Sequence, residues 1–295
     1  MISNYRNNQN TRGFTLIELL IVIAIIVILF SIVITMTSQL MRSAKSTAEA
    51  TSLRQVLQAY MTAATDNNGT FIRGYSNGEG KSIVGPDGEK IHWPASGRYV
   101  WRLLPYLDNA MDTLYTNREQ DVLSQIEGTE CYSYIMSLYP SFGLNSEWLG
   151  GDFRTTASPA LESKRLYASS LSDVRLPARQ LVFASSAAPE GSEDDSNMSG
   201  CLSSNLNTLG HGYFEIKSPY FPSAGDTWRW NTVNGEQSTV PTDDSADHGN
   251  LSARHSGKVL IGKLDGSTEF ITLQNLADMR RWAPKANTAN WTPTF

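Results

Sequence analysis

The sequence has little positive charge, and this limits the partners it can have. Its 24 Lys and Arg residues are outnumbered by 29 Asp and Glu residues, and the net charge is -5. Beyond the N-terminal apolar segment no large basic patch stands out in the sequence. Proteins that bind nucleic acid neutralise phosphates with such patches, so nucleic acid is not expected as a partner.

Cysteine is almost absent, and the two cysteines leave two alternatives open. Cys131 and Cys201 both lie C-terminal to the long apolar segment at residues 14–35. An oxidising compartment permits a disulfide, but the sequence does not show whether the two sulfur atoms lie within bonding distance. The pair is therefore either one disulfide or two separate buried thiols.

The sequence also lacks a catalytic constellation. A Gly-x-Ser-x-Gly pattern occurs at residues 74–78, but a glycine-rich loop follows it where a nucleophile elbow needs a helix. Gly80-Lys81-Ser82 lacks the glycine five residues earlier that a phosphate-binding loop requires. The sequence therefore predicts a protein that is not an enzyme.

One long apolar segment dominates the N-terminal region. From Leu19 to Ile34 the one polar side chain is Ser31, and about 20 mostly apolar residues suffice for a helix to cross a bilayer. The carboxylate of Glu18 lies at the start of this segment, where an ionisable group is costly unless it has a partner. Residues 1–13 are polar and basic, which predicts a cytoplasmic N-terminus and an extracytoplasmic C-terminal part.

The junction between these two parts reads Arg12-Gly13-Phe14-Thr15-Leu16-Ile17-Glu18. It resembles the N-terminus of type IV pilins and type II secretion pseudopilins. The resemblance implies that a prepilin peptidase removes the leader, residues 1–13, by cutting after Gly13, and that Phe14 becomes the methylated N-terminus. It places Glu18 at the family's assembly glutamate. The core of the membrane segment, and later of a filament, is expected to include Leu16, Leu19, Leu20, Ile21, Ile23, Ile25, Ile26, Ile28 and Leu29.

Cleavage creates an ammonium group at Phe14, and this group points to a role for Glu18. In a bundle of parallel, staggered helices, the ammonium can face the Glu18 carboxylate of a neighbouring subunit. Desolvation cancels much of the attraction, so the pair mainly sets the register, because a wrongly staggered subunit leaves Glu18 unpaired. The alternative is that Glu18 extends to the lipid headgroups of a plain single-span anchor.

The helix is expected to continue through residues 36–65 as an amphipathic segment. No Gly or Pro occurs between Thr37 and Ala64, and apolar residues recur there at helical spacing. Glu49 is assigned to the opposite, polar face, and the breaker at residues 66–69 ends the helix. The alternative is two helices with a hinge near residues 35–38.

Short strand and turn patterns predict a small antiparallel β-sheet head in residues 66–295, packed on the second half of the helix. The fold class is therefore α+β. Residues 130–136 and 176–185 have the composition of strands, residues 140–145 read as a turn, and residues 217–250 as an irregular insertion.

The strongest local signal is a hairpin near the C-terminus. Apolar runs at residues 258–264 and 267–271 flank Asp265-Gly266. His255, nine intervening residues and Asp265-Gly266 resemble the H-x9-DG domain that accompanies pilin-type N-termini in planctomycetes and verrucomicrobia, here at residues 255–271. Members often have His after the Asp-Gly pair, whereas this chain has Ser267.

His255 has two possible roles. It is a residue type that often binds metals, but no second His or Cys lies at ligand spacing nearby. The favoured prediction is that it bonds a backbone carbonyl or Asp265 and fixes the hairpin. A weaker hypothesis is a calcium site at Asp243, Asp244 and Asp247, although a solvated acidic loop is favoured; no other cofactor is expected.

The sequence as a whole predicts a filament subunit held in the bacterial inner membrane before assembly and found in a periplasmic or cell-surface filament afterwards. The expected partners are copies of itself or paralogous pilins, the prepilin peptidase/methyltransferase, the inner-membrane assembly machinery and lipid. The alternative is an anchored extracytoplasmic domain that never polymerises and stacks glycans on aromatic side chains. The candidates for such stacking are Trp93, Trp101, Trp148, Tyr220, Trp228 and Trp230.

Overall fold

The structure, a computed structural model, has an α+β fold with a long N-terminal helix and small antiparallel sheets. It divides into two units, Met1–Thr47 and Ala48–Phe295, which are described separately. Side chains are not described at positions 35, 38, 221–223, 226–229, 232–233 and 236–237. The described residues are 14–77, 82–116, 126, 128–129, 131–152, 166–188, 212–223, 226–230, 232–233, 236–237 and 248–292.

Helix α1 runs from Leu16 to Asp66 and contains 51 residues, none of them Gly or Pro. Residues 35–38, the site of the alternative hinge, belong to this helix. The helix ends where the breaker predicted it. Gly69 has a φ of +80° and donates its backbone N–H to the carbonyl of Ala64, which satisfies an otherwise unpaired carbonyl of the last turn.

In the first unit, the described apolar side chains of α1 are exposed. Every residue from Phe14 to Ile34 is exposed. Among the described residues, α1 is the one helix long and apolar enough to span a membrane. Such a surface requires lipid or neighbouring helices around it.

In the second unit, one face of α1 is buried in the head. Leu53, Leu57 and Tyr60 are completely inaccessible to water. The ring of Tyr60 packs edge-on against Phe183, with 5.4 Å between centroids, and stacks on Phe71 at 5.6 Å. The positions 53, 56, 57, 60, 63 and 64 follow the helical period, so the amphipathic prediction is confirmed for this segment.

This face packs on a four-stranded antiparallel sheet whose strands, in order, are Thr268–Thr272 (β10), Lys258–Lys263 (β9), Leu181–Ser185 (β4) and Phe142–Leu144 (β3). A second apolar cluster, rich in tryptophan, contains Val259, Ile261 and Trp282 and includes side chains of the same sheet. The strands are β1 Ile83–Val84, β2 Lys90–Ile91, β3 Phe142–Leu144, β4 Leu181–Ser185, β5 Tyr220–Ser223, β6 Asp226–Arg229, β7 Thr232–Val233, β8 Glu236–Gln237, β9 Lys258–Lys263 and β10 Thr268–Thr272.

Short helices complete the described part of the head. Helix α2 spans Tyr99–Leu103, α3 spans Tyr132–Leu138 and α4 spans Leu273–Leu276. Single 3-10 turns lie at Ala95–Gly97, Leu104–Leu107, Met111–Thr113, Leu171–Asp173 and Met279–Arg281.

The C-terminal hairpin is confirmed with the predicted turn. Strands β9 and β10 pair in antiparallel register, with Gly262 opposite Thr268 and Val259 opposite Ile271. The glycine of the Asp265-Gly266 turn has a φ of +84°, a conformation that glycine adopts without strain. Local turn chemistry therefore determined this element.

The predicted strand at residues 130–136 was wrong, since residues 132–138 form helix α3. Five consecutive residues of this helix, from Tyr134 to Leu138, are buried. The tyrosines and Ile135 gave the segment a strand-like composition. No strand in the described part of the chain pairs with it, and a helix satisfies its own backbone hydrogen bonds in such an interior position.

The turn predicted at residues 140–145 was also wrong, since Phe142–Leu144 form strand β3 beside β4. Gly143 is needed for a close approach, because a Cβ there would lie 2.7 Å from the Cγ2 of Ile216 and 3.0 Å from the carbonyl carbon of Glu215. Residues 217–250 are more regular than predicted, since two two-stranded antiparallel pairs, β5-β6 and β7-β8, lie in their described part.

Gly262 of β9 sets the distance between the sheet and α1, and its substitution tests that contact. A Cβ at this position would lie 2.7 Å from the Cδ1 of Leu57. We expect Gly262→Ala to lower the free energy of unfolding by about 1–3 kcal/mol through overpacking. Urea denaturation of the full chain in detergent, followed by tryptophan fluorescence, measures this, because all seven tryptophans lie in the head.

The control is the same glycine substitution in a chain that lacks the Leu57 side chain. In a Leu57→Ala chain the same glycine substitution should cost much less, because the clashing atoms are gone and the two changes are not additive. An equal cost in both backgrounds would show that the helix–sheet contact is not the cause.

Candidate functional site

The candidate assembly site lies at the start of α1. The side-chain oxygen of Thr15 accepts the backbone N–H of Glu18 at 3.3 Å. In return, the Glu18 carboxylate accepts both the backbone N–H and the hydroxyl of Thr15, each at 2.9 Å. Thr15 and Glu18 thus form a reciprocal capping box. This role was not predicted from the sequence, although the Thr-x-x-Glu spacing before an apolar run is its signature.

The capping box fixes the position of the Glu18 carboxylate but leaves some of its acceptor positions free. A carboxylate has about four acceptor positions, and Thr15 fills two of them. Glu18 is exposed, and Phe14 is 79% exposed. The cleavage residue Gly13 lies outside the described residues. This arrangement holds a negative charge at the helix start where a cation from another chain can reach it.

The predicted core residues form the exposed apolar surface that follows the cap. Leu16 is 88% exposed and Leu20 is 62% exposed. The hydroxyl of Ser31 donates to the carbonyl of Ile28 at 2.7 Å, so this polar side chain is satisfied within the helix. The other predicted core residues, Leu19, Ile21, Ile23, Ile25, Ile26, Ile28 and Leu29, are exposed as well.

A second polar site lies inside the head, where Glu49 meets Arg254 and His255. Oε1 of Glu49 accepts the Nε–H of Arg254 at 3.0 Å and also its Nη2–H, while the Nε2 of His255 lies 3.3 Å from Oε2. Arg254 also donates to the carbonyls of Ser186 and Ser141, at 2.9 and 3.0 Å. This Glu49 cluster joins α1 to the segment before β9. Through Arg254 it also reaches Ser141, just before β3, and Ser186, just after β4.

The cluster keeps Glu49 ionised although its side chain is fully inaccessible to water. Burial alone raises the pKa of a carboxyl group. The nearby imidazole of His255 and the charge and hydrogen bonds of Arg254 outweigh burial, so the pKa of Glu49 lies below its ordinary value. The assignment of Glu49 to the exposed polar face was therefore wrong.

The residues of the H-x9-DG pattern have separate partners in the structure. The ring of His255 packs edge-on against Phe270 with 4.9 Å between centroids, and its Nε2 faces Glu49. Asp265 accepts the backbone N–H and the hydroxyl of Ser267, at 3.0 and 2.7 Å. The polar partner of His255 is thus on α1, whereas Asp265 stabilises the turn.

No metal site emerges from the part of the chain that the structure describes, where no three His, Cys, Asp or Glu side chains could hold an ion. Asp243, Asp244 and Asp247 lie outside that part, so the calcium hypothesis stays a prediction. Cys131 is disulfide-bonded, and the chain's other cysteine, Cys201, also lies outside the described residues.

Half of the six aromatic residues of the glycan-binding alternative are core residues, and the side chain of Trp228 lies outside the described ones. Trp101, Trp148 and Trp230 are at most 5% exposed, and the indole N–H of Trp148 donates to the hydroxyl of Ser218 at 2.9 Å. Trp93 is exposed at 43% and Tyr220 is half-buried. The three buried indoles cannot stack on a ligand, which removes half of the proposed platform.

Comparison with known proteins identifies the N-terminal segment. Residues 8–34 match the family model described as the prokaryotic N-terminal methylation motif. This range contains Gly13, Phe14 and Glu18, and it supports a type IV pilin-like precursor that is processed by prepilin peptidase. No curated protein and no solved structure matches the chain significantly.

Proposed function

We propose that this chain is a non-enzymatic structural subunit of a type IV pilus-like or type II secretion filament. The observation that carries the proposal is the exposed, capped Glu18 at the start of an uncovered apolar helix, within a prepilin-type methylation motif. A carboxylate in this position is costly in a membrane span unless it has a function. Intersubunit pairing supplies that function.

The mechanism begins with the precursor in the inner membrane, its N-terminus in the cytoplasm and its head outside. Prepilin peptidase cuts between Gly13 and Phe14, and Phe14 is methylated. The new ammonium then pairs with Glu18 of a neighbouring subunit, a copy or a paralogous pilin, as the assembly machinery extracts the chain. The apolar surface of α1 exchanges lipid for neighbouring helices, while the head decorates the outside.

The head acts as a scaffold in this proposal. The C-terminal segment around His255 and Asp265-Gly266 is of the H-x9-DG type, and its departure at Ser267 has a local consequence. Ser267 donates two hydrogen bonds to Asp265, so the turn is satisfied without a second histidine. His255 stabilises the docking of α1 on the head rather than binding a metal.

Processing at Gly13 is tested by mass spectrometry of the protein purified from its native host. We expect the mature N-terminal peptide to begin at Phe14 and to carry one extra methyl group. Protein made in a host without prepilin peptidase is the control and should retain residues 1–13. A mature pool that keeps the leader would contradict the proposal.

The anchored binding domain is distinguished from a filament subunit by material sheared from the cell surface. Electron microscopy with an antibody against the head should show labelled filaments. Chain that stays entirely in the membrane fraction, with its N-terminus correctly processed, would favour the anchor.

A further inference from the structure

The head contains a concave pocket of about 510 Å³ that the assembly mechanism does not use. It lies between the loop that enters β4, at residues 173–180, and the C-terminal segment at residues 280–287. Its volume is in the range of small-ligand sites, about 300–1,000 Å³.

The pocket is cationic although the protein is acidic overall. Arg175, Arg179, Arg280 and Lys285 line it, and the one carboxylate among its lining residues is Asp173. Clustered cations with few counter-charges repel one another, which makes a bound anion favourable.

The carboxylate of Asp173 is directed to its own loop. Its Oδ2 accepts the backbone N–H and hydroxyl groups of both Ser169 and Ser170, at distances of 2.9 to 3.0 Å. Partial burial raises the pKa of Asp173, but these hydrogen bonds outweigh burial and lower it. These bonds direct the carboxylate to its own loop, and Asp173 forms no ion pair with Arg175 or Arg179.

Of the three arginines that line the pocket, one has a carboxylate partner and two do not. Arg280 forms a two-pronged pair with Asp278, with Nε to Oδ1 at 2.9 Å and Nη2 to Oδ2 at 2.6 Å. Arg175 and Arg179 have no ion pair or side-chain hydrogen bond with any described residue. The Nε of Arg179 is shielded from water and has no acceptor, and an N–H group left this way costs free energy. An oxyanion in the pocket offers the missing acceptor.

The two walls of the pocket are held together before any ligand arrives. The side-chain amide of Gln180 donates to the carbonyl of Trp282 at 2.6 Å and to that of Arg281 at 3.3 Å. Trp282 is completely buried, and its indole N–H donates to the carbonyl of Leu276 at 2.7 Å. A preorganised site loses little conformational entropy on binding.

We propose that this pocket binds the oxyanion group of a small ligand, with Arg175 and Arg179 as its holding residues. A planar guanidinium presents paired N–H donors that match a carboxylate, sulfate or phosphate. Asn287 also lines the pocket and adds an amide that can bond a hydroxyl group. The ligand class that fits both features is an acidic sugar that carries a carboxylate. This site is independent of filament assembly.

Calorimetric titration of the full chain in neutral detergent tests the proposal. The probes are galacturonate, sodium sulfate and sodium phosphate, each against sodium chloride at the same ionic strength. We expect saturable binding of galacturonate at one site per chain. Arg179→Gln and Arg175→Gln should each weaken it by about tenfold or more, since each removes a charge-assisted contact. Arg54→Gln, which removes an exposed arginine outside this pocket, should leave binding unchanged.

The probes also separate the possible sources of the oxyanion. Tighter binding of galacturonate than of phosphate supports an acidic sugar, whereas binding of phosphate or sulfate alone would overturn the sugar assignment. The absence of saturable binding by all three probes would overturn the site itself, as would equal affinity in parent and variants. Arg175 is exposed, so its glutamine variant should fold even where Arg179→Gln does not.

Discussion

Replacement of Glu18 by glutamine is expected to abolish filament formation while membrane insertion and leader removal continue. Glutamine keeps the capping box, because an amide oxygen can still accept the backbone N–H of Thr15. It removes only the negative charge, so the Phe14 ammonium of a neighbouring subunit is left unpaired in an apolar bundle. An unpaired buried charge is strongly destabilising, and we expect the sheared filament fraction to fall by at least about tenfold. Immunoblotting of sheared and membrane fractions measures it.

Thr15→Ala is the matched control for this experiment. It removes the hydroxyl that caps α1 and donates to Glu18, but it leaves the carboxylate charged. Loss of one exposed cap weakens only the first turn, so filaments should persist. If Glu18→Gln assembled as well as the parent, charge pairing would be wrong. If Thr15→Ala failed as completely as Glu18→Gln, the cap rather than the charge would be the requirement.

The second large effect is expected inside the head, on replacing Glu49 by glutamine. This leaves the guanidinium of Arg254 and the imidazole of His255 facing a neutral amide with no carboxylate between them. Removal of one partner from a buried ion pair costs about 3–5 kcal/mol. Because Arg254 is 24% exposed, we expect Glu49→Gln to lower the free energy of unfolding by about 3 kcal/mol. Urea denaturation monitored by tryptophan fluorescence measures this.

The control is Glu269→Gln, which breaks the ion pair between Glu269 and Lys263 on the C-terminal hairpin. Glu269 has a side-chain exposure of 42%, and solvent screens such pairs, so its loss should cost less than about 1 kcal/mol. Similar costs for both variants would show that the Glu49 cluster contributes no more than a surface pair.

The dependence on pH follows from the direction of the shift at Glu49. Its pKa in the folded chain is below the ordinary value of 4.5, so the unfolded chain binds a proton first as the pH falls. The stabilisation is therefore complete above pH 4.5 and decreases as the pH falls through the folded pKa. Parent and Glu49→Gln should differ fully at pH 7 and converge at lower pH. A difference that stays constant down to pH 3 would contradict this.

Elements with local causes were predictable from the sequence. The membrane segment needs only composition, and the β9-β10 hairpin needs only the Asp265-Gly266 turn between apolar runs. The end of α1 at Asp66 likewise follows from a local breaker. At the N-terminus, the capping box between Thr15 and Glu18 was also predictable, because the Thr-x-x-Glu spacing is local.

Features that depend on distant partners could not be predicted in the same way. Glu49 reads as a polar-face residue until Arg254, 205 positions away, is placed beside it. Helix α3 has a strand-like composition, and its buried position with no strand partner decides its conformation. Gly143 reads as a turn residue until Ile216 is known to lie against it. For Glu49 and Gly143 the deciding contact joins residues far apart in the chain.

The separation of 205 positions between Glu49 and Arg254 also sets an order of events during synthesis. Glu49 is made first, and its partners at residues 254–255 follow only after the intervening chain. Until then the Glu49 carboxylate lacks Arg254 and His255 and gains by staying hydrated, which delays the docking of α1 on the head. In a chain that stops before Arg254, docking of α1 would bury the Glu49 charge without the arginine that compensates it. Docking of α1 through the Glu49 cluster therefore requires a chain that extends at least to His255.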